Sequence, residues 1–136
     1  MDHLRANPGV ALVIGGQELI FEDGAAVPFW LGGRDGSFRG GEEAGTPRAG
    51  GIHTMTLLAR REAFALLGGF DESMSHAEDV DWLLRAREAG LGIGVLDRPL
   101  IRRRVHPGSL TQDDAAERRA LVDVFRARIQ RKRRAS

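Results

Sequence analysis

The chain has 136 residues, enough for one domain with a modest core, and its 42% apolar and 29% charged residues are ordinary for a globular protein. It has no cysteine, which excludes disulfides and thiolate metal sites, and no stretch nears the ~18 apolar residues of a membrane span. The net charge of +1 conceals a split, because residues 1–97 carry 8 Arg or Lys against 15 Asp or Glu, and residues 98–136 carry 12 against 4. A basic end of this kind implies an anionic partner (phosphate groups, lipid headgroups or nucleic acid), attraction between the two halves, or a solvated helix face with a frayed tail. With neither a signal segment at its start nor a cysteine anywhere, the chain is expected in the cytoplasm.

Residues 2–6 are too few for a helix that stands alone and read as the end of a longer one. Asn7-Pro8-Gly9 signals a turn. Residues 10–14 are a continuous apolar run suited to a strand covered on both faces. Gly15-Gly16 is expected to end it, with a second strand over 18–21 before the Glu22-Asp23-Gly24 turn. Residues 32–51 hold eight glycines, a density whose backbone entropy argues for a mobile loop.

A strand is predicted over 54–59, then a short helix over 61–67 stopped by Gly68. Residues 76–89 carry the strongest helical signal, with Val80, Leu83, Leu84 and Ala86 as the buried stripe and Gly90 as the stop. Strands over 93–96 and 100–105 follow, separated by Asp97-Arg98-Pro99. From Asp113 onward Leu121, Val122, Phe125 and Ile129 recur at helical spacing, giving a basic amphipathic helix over 113–136. The alternation of strands and helices places residues 1–112 in the α/β or α+β class. So little chain precedes the first strand that a sheet with open edges is expected, and open edges invite a second copy or a partner.

The chemistry-bearing stretch is 67–85, where Glu78, Asp79 and Asp81 crowd the start of a helix just after a Gly-Gly turn. A helix N-terminus favours ionised carboxylates, and an ionised carboxylate can take a proton. Ser75-His76-Ala77-Glu78 fits the S-x-x-E capping box, which explains Glu78 without chemistry. Asp79 lies about 100° further round the helix and is not needed for that box. Asp81 stands four residues before Arg85 and can pair with it. Trp82 borders the apolar stripe, so packing competes with a binding role. Arg102, Arg103 and Arg104 alternate across a strand, so only one or two of them can face a common site; a phosphate clamp and a solvated edge both remain open. His106, before Pro107-Gly108, is either a loop histidine or a ligand.

In order and spacing, three segments of this chain resemble the acceptor side of family 2 glycosyltransferases of the GT-A fold: "TLLARREAFALLGGFDE", "HAEDVDWLLRAREAGLGIGVLD" and "RRRVHPGSLT". The resemblance covers roughly 52–112, and more loosely 4–24. It implies an α/β fold with a partial GT-A-like mixed sheet flanked by helices. It also implies sugar transfer from a nucleotide-sugar donor to an acceptor hydroxyl, with Asp79 as general base and Glu78 beside it. Asp81 and Trp82 would shape the acceptor site, and His106 with Arg104 would approach the diphosphate. A divalent metal, Mn or Mg, would be the cofactor, with His106 as its candidate ligand here.

The family's nucleotide-binding half ends in an Asp-x-Asp that holds the metal, and it is expected upstream of residue 1. Asp79-Val80-Asp81 has that spelling but sits inside a helix. The chain is therefore expected to need another polypeptide to complete the donor site. The alternative is a non-catalytic sugar-binding or protein-interaction module derived from such an enzyme. In that case the basic C-terminal helix would dock on a partner or a membrane surface. Nucleic acid is not expected, because the basic residues are not interleaved with aromatics.

Overall fold

The computed structural model describes residues 1–26, 48–49, 54–109 and 112–135. The glycine-dense segment 32–51 falls outside this set except for Arg48 and Ala49. A four-stranded mixed sheet is flanked by helices, as an α/β chain should be.

The sheet is organised by β1 (Val10–Phe21), which pairs in parallel with β4 (Gly92–Val105) along its whole length. Because β4 fills one edge of β1, the two short strands β2 (Arg48–Ala49) and β3 (Leu58–Ala59) share the other, both antiparallel. Among the described residues β4 has no second strand neighbour.

Gly15-Gly16 does not end the first strand. The pairing runs through it with register shifts, Gly15 facing Leu96 and Gly16 facing Pro99. The strands predicted over 10–14 and 18–21 are one, as are those over 93–96 and 100–105. The glycine is needed for closeness instead of termination, since a Cβ at Gly15 would overlap the Leu100 side chain. The strand expected over 54–59 is mostly a 3-10 turn, Thr54–Thr56, followed by the two residues of β3.

The five-residue helix α1 (Asp2–Ala6) is held by Arg60, whose guanidinium donates to the carbonyls of Leu4, Asn7 and Val10. That arrangement satisfies carbonyls a helix C-terminus leaves open and ties them to the start of β1. Helix α2 (Arg61–Leu67) ends where Gly68 turns to φ 76°, its N–H donating to Phe64 O at 2.9 Å.

Helix α3 (Glu78–Glu88) buries Asp81, Trp82, Leu83 and Ala86, while the expected Val80 and Leu84 are only half-buried. Leu12, Ala63, Trp82, Leu83 and Ala86 form the main core. Leu19 and Val105 form a smaller one at the other end of the β1–β4 pair.

Helix α4 (Asp114–Ala135) starts at Asp113, whose carboxylate accepts the Ala116 N–H at 2.9 Å. It docks through Val124, which is 2% exposed, and not through Val122, Phe125 and Ile129 as the spacing suggested. Two apolar arcs run along this helix, and the narrower one carries the packing. No described helix is long and apolar enough to cross a membrane.

Candidate functional site

The local geometry at the start of α3 departs from a capping box. Ala77 occupies the N-cap with φ 61° and ψ 16°, the left-handed region, and offers no side-chain cap. Ser75 turns away, its Oγ 3.1 Å from the Nδ1 of neighbouring His76. Glu78 is the first helical residue, not a box partner. The strained N-cap leaves the first-turn N–H groups to Asp79, whose Oδ1 accepts the Val80 N–H at 2.8 Å.

Asp79 also receives backbone hydrogen bonds from Thr54 on the 3-10 turn and from its own N–H. Even so, its carboxyl is pushed above the usual range, because burial penalises the charge and the neighbouring Glu78 carboxylate adds repulsion. A half-buried carboxylate with a raised affinity for protons is the type of group that general-base chemistry uses.

Arg103 of β4 feels the Asp79 charge. Burial pulls its guanidinium below the ordinary arginine value, while the charges of Glu117 on α4 and of Asp79 hold it up. Electrostatics thus link four elements: the Thr54 turn, the head of α3, the far end of β4 and the first turns of α4. Leu19 pairs with Arg103 and Gln17 with Ile101, so Gln17 and Arg103 share a sheet face one pleat apart. Gln17 is 1% exposed, and neither of its amide atoms finds a hydrogen-bond partner among the described residues.

The other expected site residues lie elsewhere. Arg104 and Arg102 point to the opposite face from Arg103, Arg104 within 3.6 Å of Glu22 and Arg102 donating to Glu18 at 2.8 Å. Of the three arginines, it is Arg103 that feels the charges of Glu117 and Asp79. Trp82 is 0% exposed, with its indole N–H on Gly68 O at 2.9 Å and its ring against Phe64 and Phe70. It has no exposed surface to give an acceptor.

Asp81 is buried and doubly paired, with Arg85 at 2.8 Å and with Arg131 of α4 at 3.3 Å. Arg85 continues to the carbonyls of Leu67 and Gly69, so this carboxylate latches the α2–α3 loop and α4 onto α3. A groove of about 470 Å³ beside the latch is lined by Asp71, Asp81, Arg85, Asp123 and Arg131, and not by Asp79.

His106 is exposed on the turn after β4, its backbone N–H donating to Ser109 Oγ at 3.0 Å. Among the described residues no three His, Asp or Glu side chains gather into a group able to hold a metal ion. Asp79-Val80-Asp81 does not make one, because the helix turns Asp79 toward Thr54 and Asp81 toward Arg131.

Sequence reasoning singled out Asp79 but missed Gln17, Thr54 and Glu117. Strand alternation alone separates Arg103 from Arg102 and Arg104; what it lacks is which side the helices cover. No protein-family model, curated protein or solved structure matches the chain.

Proposed function

We propose that the chain is the acceptor-side portion of a family 2-like glycosyltransferase, with Asp79 as the proton acceptor. The observation that supports this most is the half-buried Asp79 carboxyl, its proton affinity raised by burial and by the neighbouring Glu78 carboxylate. An acceptor hydroxyl placed against Asp79 would give its proton to the carboxylate as its oxygen attacks the sugar's anomeric carbon. The bond from that carbon to the departing diphosphate oxygen breaks in the same displacement, and the electron pair leaves with the diphosphate. Glu78 raises the basicity of Asp79 by repulsion, and Arg103, whose guanidinium is held up by the Asp79 charge, would supply positive charge toward the departing group. The nucleotide-binding half and its metal would come from residues outside these 136.

A second reading, a sugar-binding or interaction module without turnover, is favoured by the commitment of Asp81 to the latch and of Trp82 to the core. Both readings place acceptor hydroxyls at Asp79. Millimolar oligosaccharides titrated into labelled protein should therefore shift the amides of Thr54, Asp79 and Val80 first. Shifts confined to the Asp81–Arg131 groove, or none at all, would remove Asp79 from the reading. Nucleotide-sugars with Mn²⁺ should give no heat with the chain alone, and robust binding would overturn the placement of the donor site outside it.

A further inference from the structure

Helix α4 is used from one side only. Its inward side carries Val124 and the arginines Arg128 and Arg131, both 3.1 Å from the Glu88 carboxylate of α3. Its outward side exposes Val122, Phe125 and Ile129, at 46%, 48% and 52%. These three stand at helical spacing and form a stripe ~10 Å long at 1.5 Å of rise per residue. Along one margin of the stripe run Arg119, Arg126 and Arg133, each three or four residues from one of its members. Arg126 shares an exposed pair with Asp123 at 3.3 Å, which contributes little in water.

We infer that this outward face of α4 docks the protein on an anionic lipid surface, lying in the interface with the stripe among the acyl chains and the arginines at the headgroup phosphates. Three things on the helix match that occupant together. The apolar centre needs a partner that removes it from water. Arg119, Arg126 and Arg133 along one margin match anionic headgroups there, and long arginine side chains reach outward from a half-sunk helix. No described helix is long and apolar enough to span, so the contact stays at the surface.

A second copy of the chain fits worse. Two such faces brought together would bring six arginines around six apolar side chains. Nucleic acid would match the arginines but offer nothing to Val122, Phe125 and Ile129.

Vesicle co-sedimentation tests the inference. The protein should partition onto vesicles containing phosphatidylglycerol at least ~10-fold more strongly than onto pure phosphatidylcholine, and should detach at high salt. Val122→Ser/Phe125→Ser/Ile129→Ser should weaken binding by about tenfold or more with the circular dichroism unchanged. Arg119→Gln/Arg126→Gln/Arg133→Gln should remove the preference for anionic lipid while leaving the fold intact. No partition onto anionic vesicles, or partition that neither variant weakens, would overturn it. So would a concentration-dependent dimer that the serine variant abolishes, which would assign the face to a second copy. Tighter binding to duplex DNA than to vesicles, unchanged by the serine variant, would equally overturn it.

Discussion

Asp81 and Arg131 are 50 positions apart in sequence, yet the carboxylate of one lies 3.3 Å from the guanidinium of the other. Asp81 is 7% exposed and also holds Arg85 at 2.8 Å, so one buried charge serves two cations. Removing it leaves both guanidinium groups short of a partner, and this cost exceeds the net worth of the pairs themselves. Asp81→Asn should destabilise the fold by about 2 kcal/mol, discounted because both arginines are partly exposed. Denaturant unfolding would read this as a lower midpoint at an unchanged slope. A loss below ~0.5 kcal/mol would mean that the latch behaves as an ordinary surface pair.

Asp79 makes an unusual prediction for pH. Its carboxyl is raised in the folded chain, so the native state holds the proton more tightly than the unfolded state does. Stability from this group is therefore lost as pH rises from about 4 through the raised folded value, and the full penalty persists at neutral pH. Asp79→Asn removes the charge and keeps an oxygen for the Val80 N–H. The variant should melt higher than the parent at pH 7 and about equally at pH 3.5. A lower melting temperature at pH 7 would show that hydrogen bonding to the carboxylate outweighs its burial.

In an assembled transferase the same Asp79→Asn substitution should lower turnover by ~10²-fold or more, the usual scale for a lost general base. Unchanged turnover would remove Asp79 from the mechanism. Gain in stability and loss of turnover at one position would mark a residue held for chemistry at the expense of the fold.

Ala77 caps α3 at φ 61°, a conformation that costs a residue with a Cβ about 1 kcal/mol and glycine almost nothing. Ala77→Gly should stabilise the protein by roughly 0.5–1 kcal/mol, allowing for the entropy glycine loses on folding. A calorimetric melt would show it as a rise of a few degrees. No rise, or a fall, would mean that the alanine methyl is worth more in its contacts than the backbone strain.

Gln17 is buried with both amide atoms unpartnered among the described residues, and an unmet buried amide costs about 1–3 kcal/mol. Gln17→Met keeps the length and removes the polar atoms. It should raise stability by about 1 kcal/mol, and chemical denaturation would measure it. Stability lowered by the substitution would show that the amide has a partner after all.

What was readable in the residues was mostly local. The α2 stop at Gly68 and the Asp81–Arg85 pair follow from spacing and cap chemistry alone, and both are present. Gly15-Gly16 misled because a glycine pair signals a turn in isolation, whereas here Leu100 from a strand some 80 residues on needs the empty space. Ser75 and Glu78 have the letters of a capping box, but the chain bends two residues later, at Ala77. On α4 the wider apolar arc looked like the packing face; only the positions of Asp81 and Glu88 on the neighbouring helix decide that Val124 turns inward. Arg103 was hidden between two identical neighbours for the same reason.

The long parallel pairing of β1 with β4 has a kinetic consequence. Val10 finds Gly92 and Phe21 finds Val105, so no hairpin can seed the main ladder and the intervening chain must first be brought to heel. During synthesis β1 would wait, its apolar edge uncovered, until roughly eighty further residues had emerged. Folding of this chain should accordingly be limited by late closure of distant partners, on the millisecond-to-second scale of domains dominated by non-local contacts.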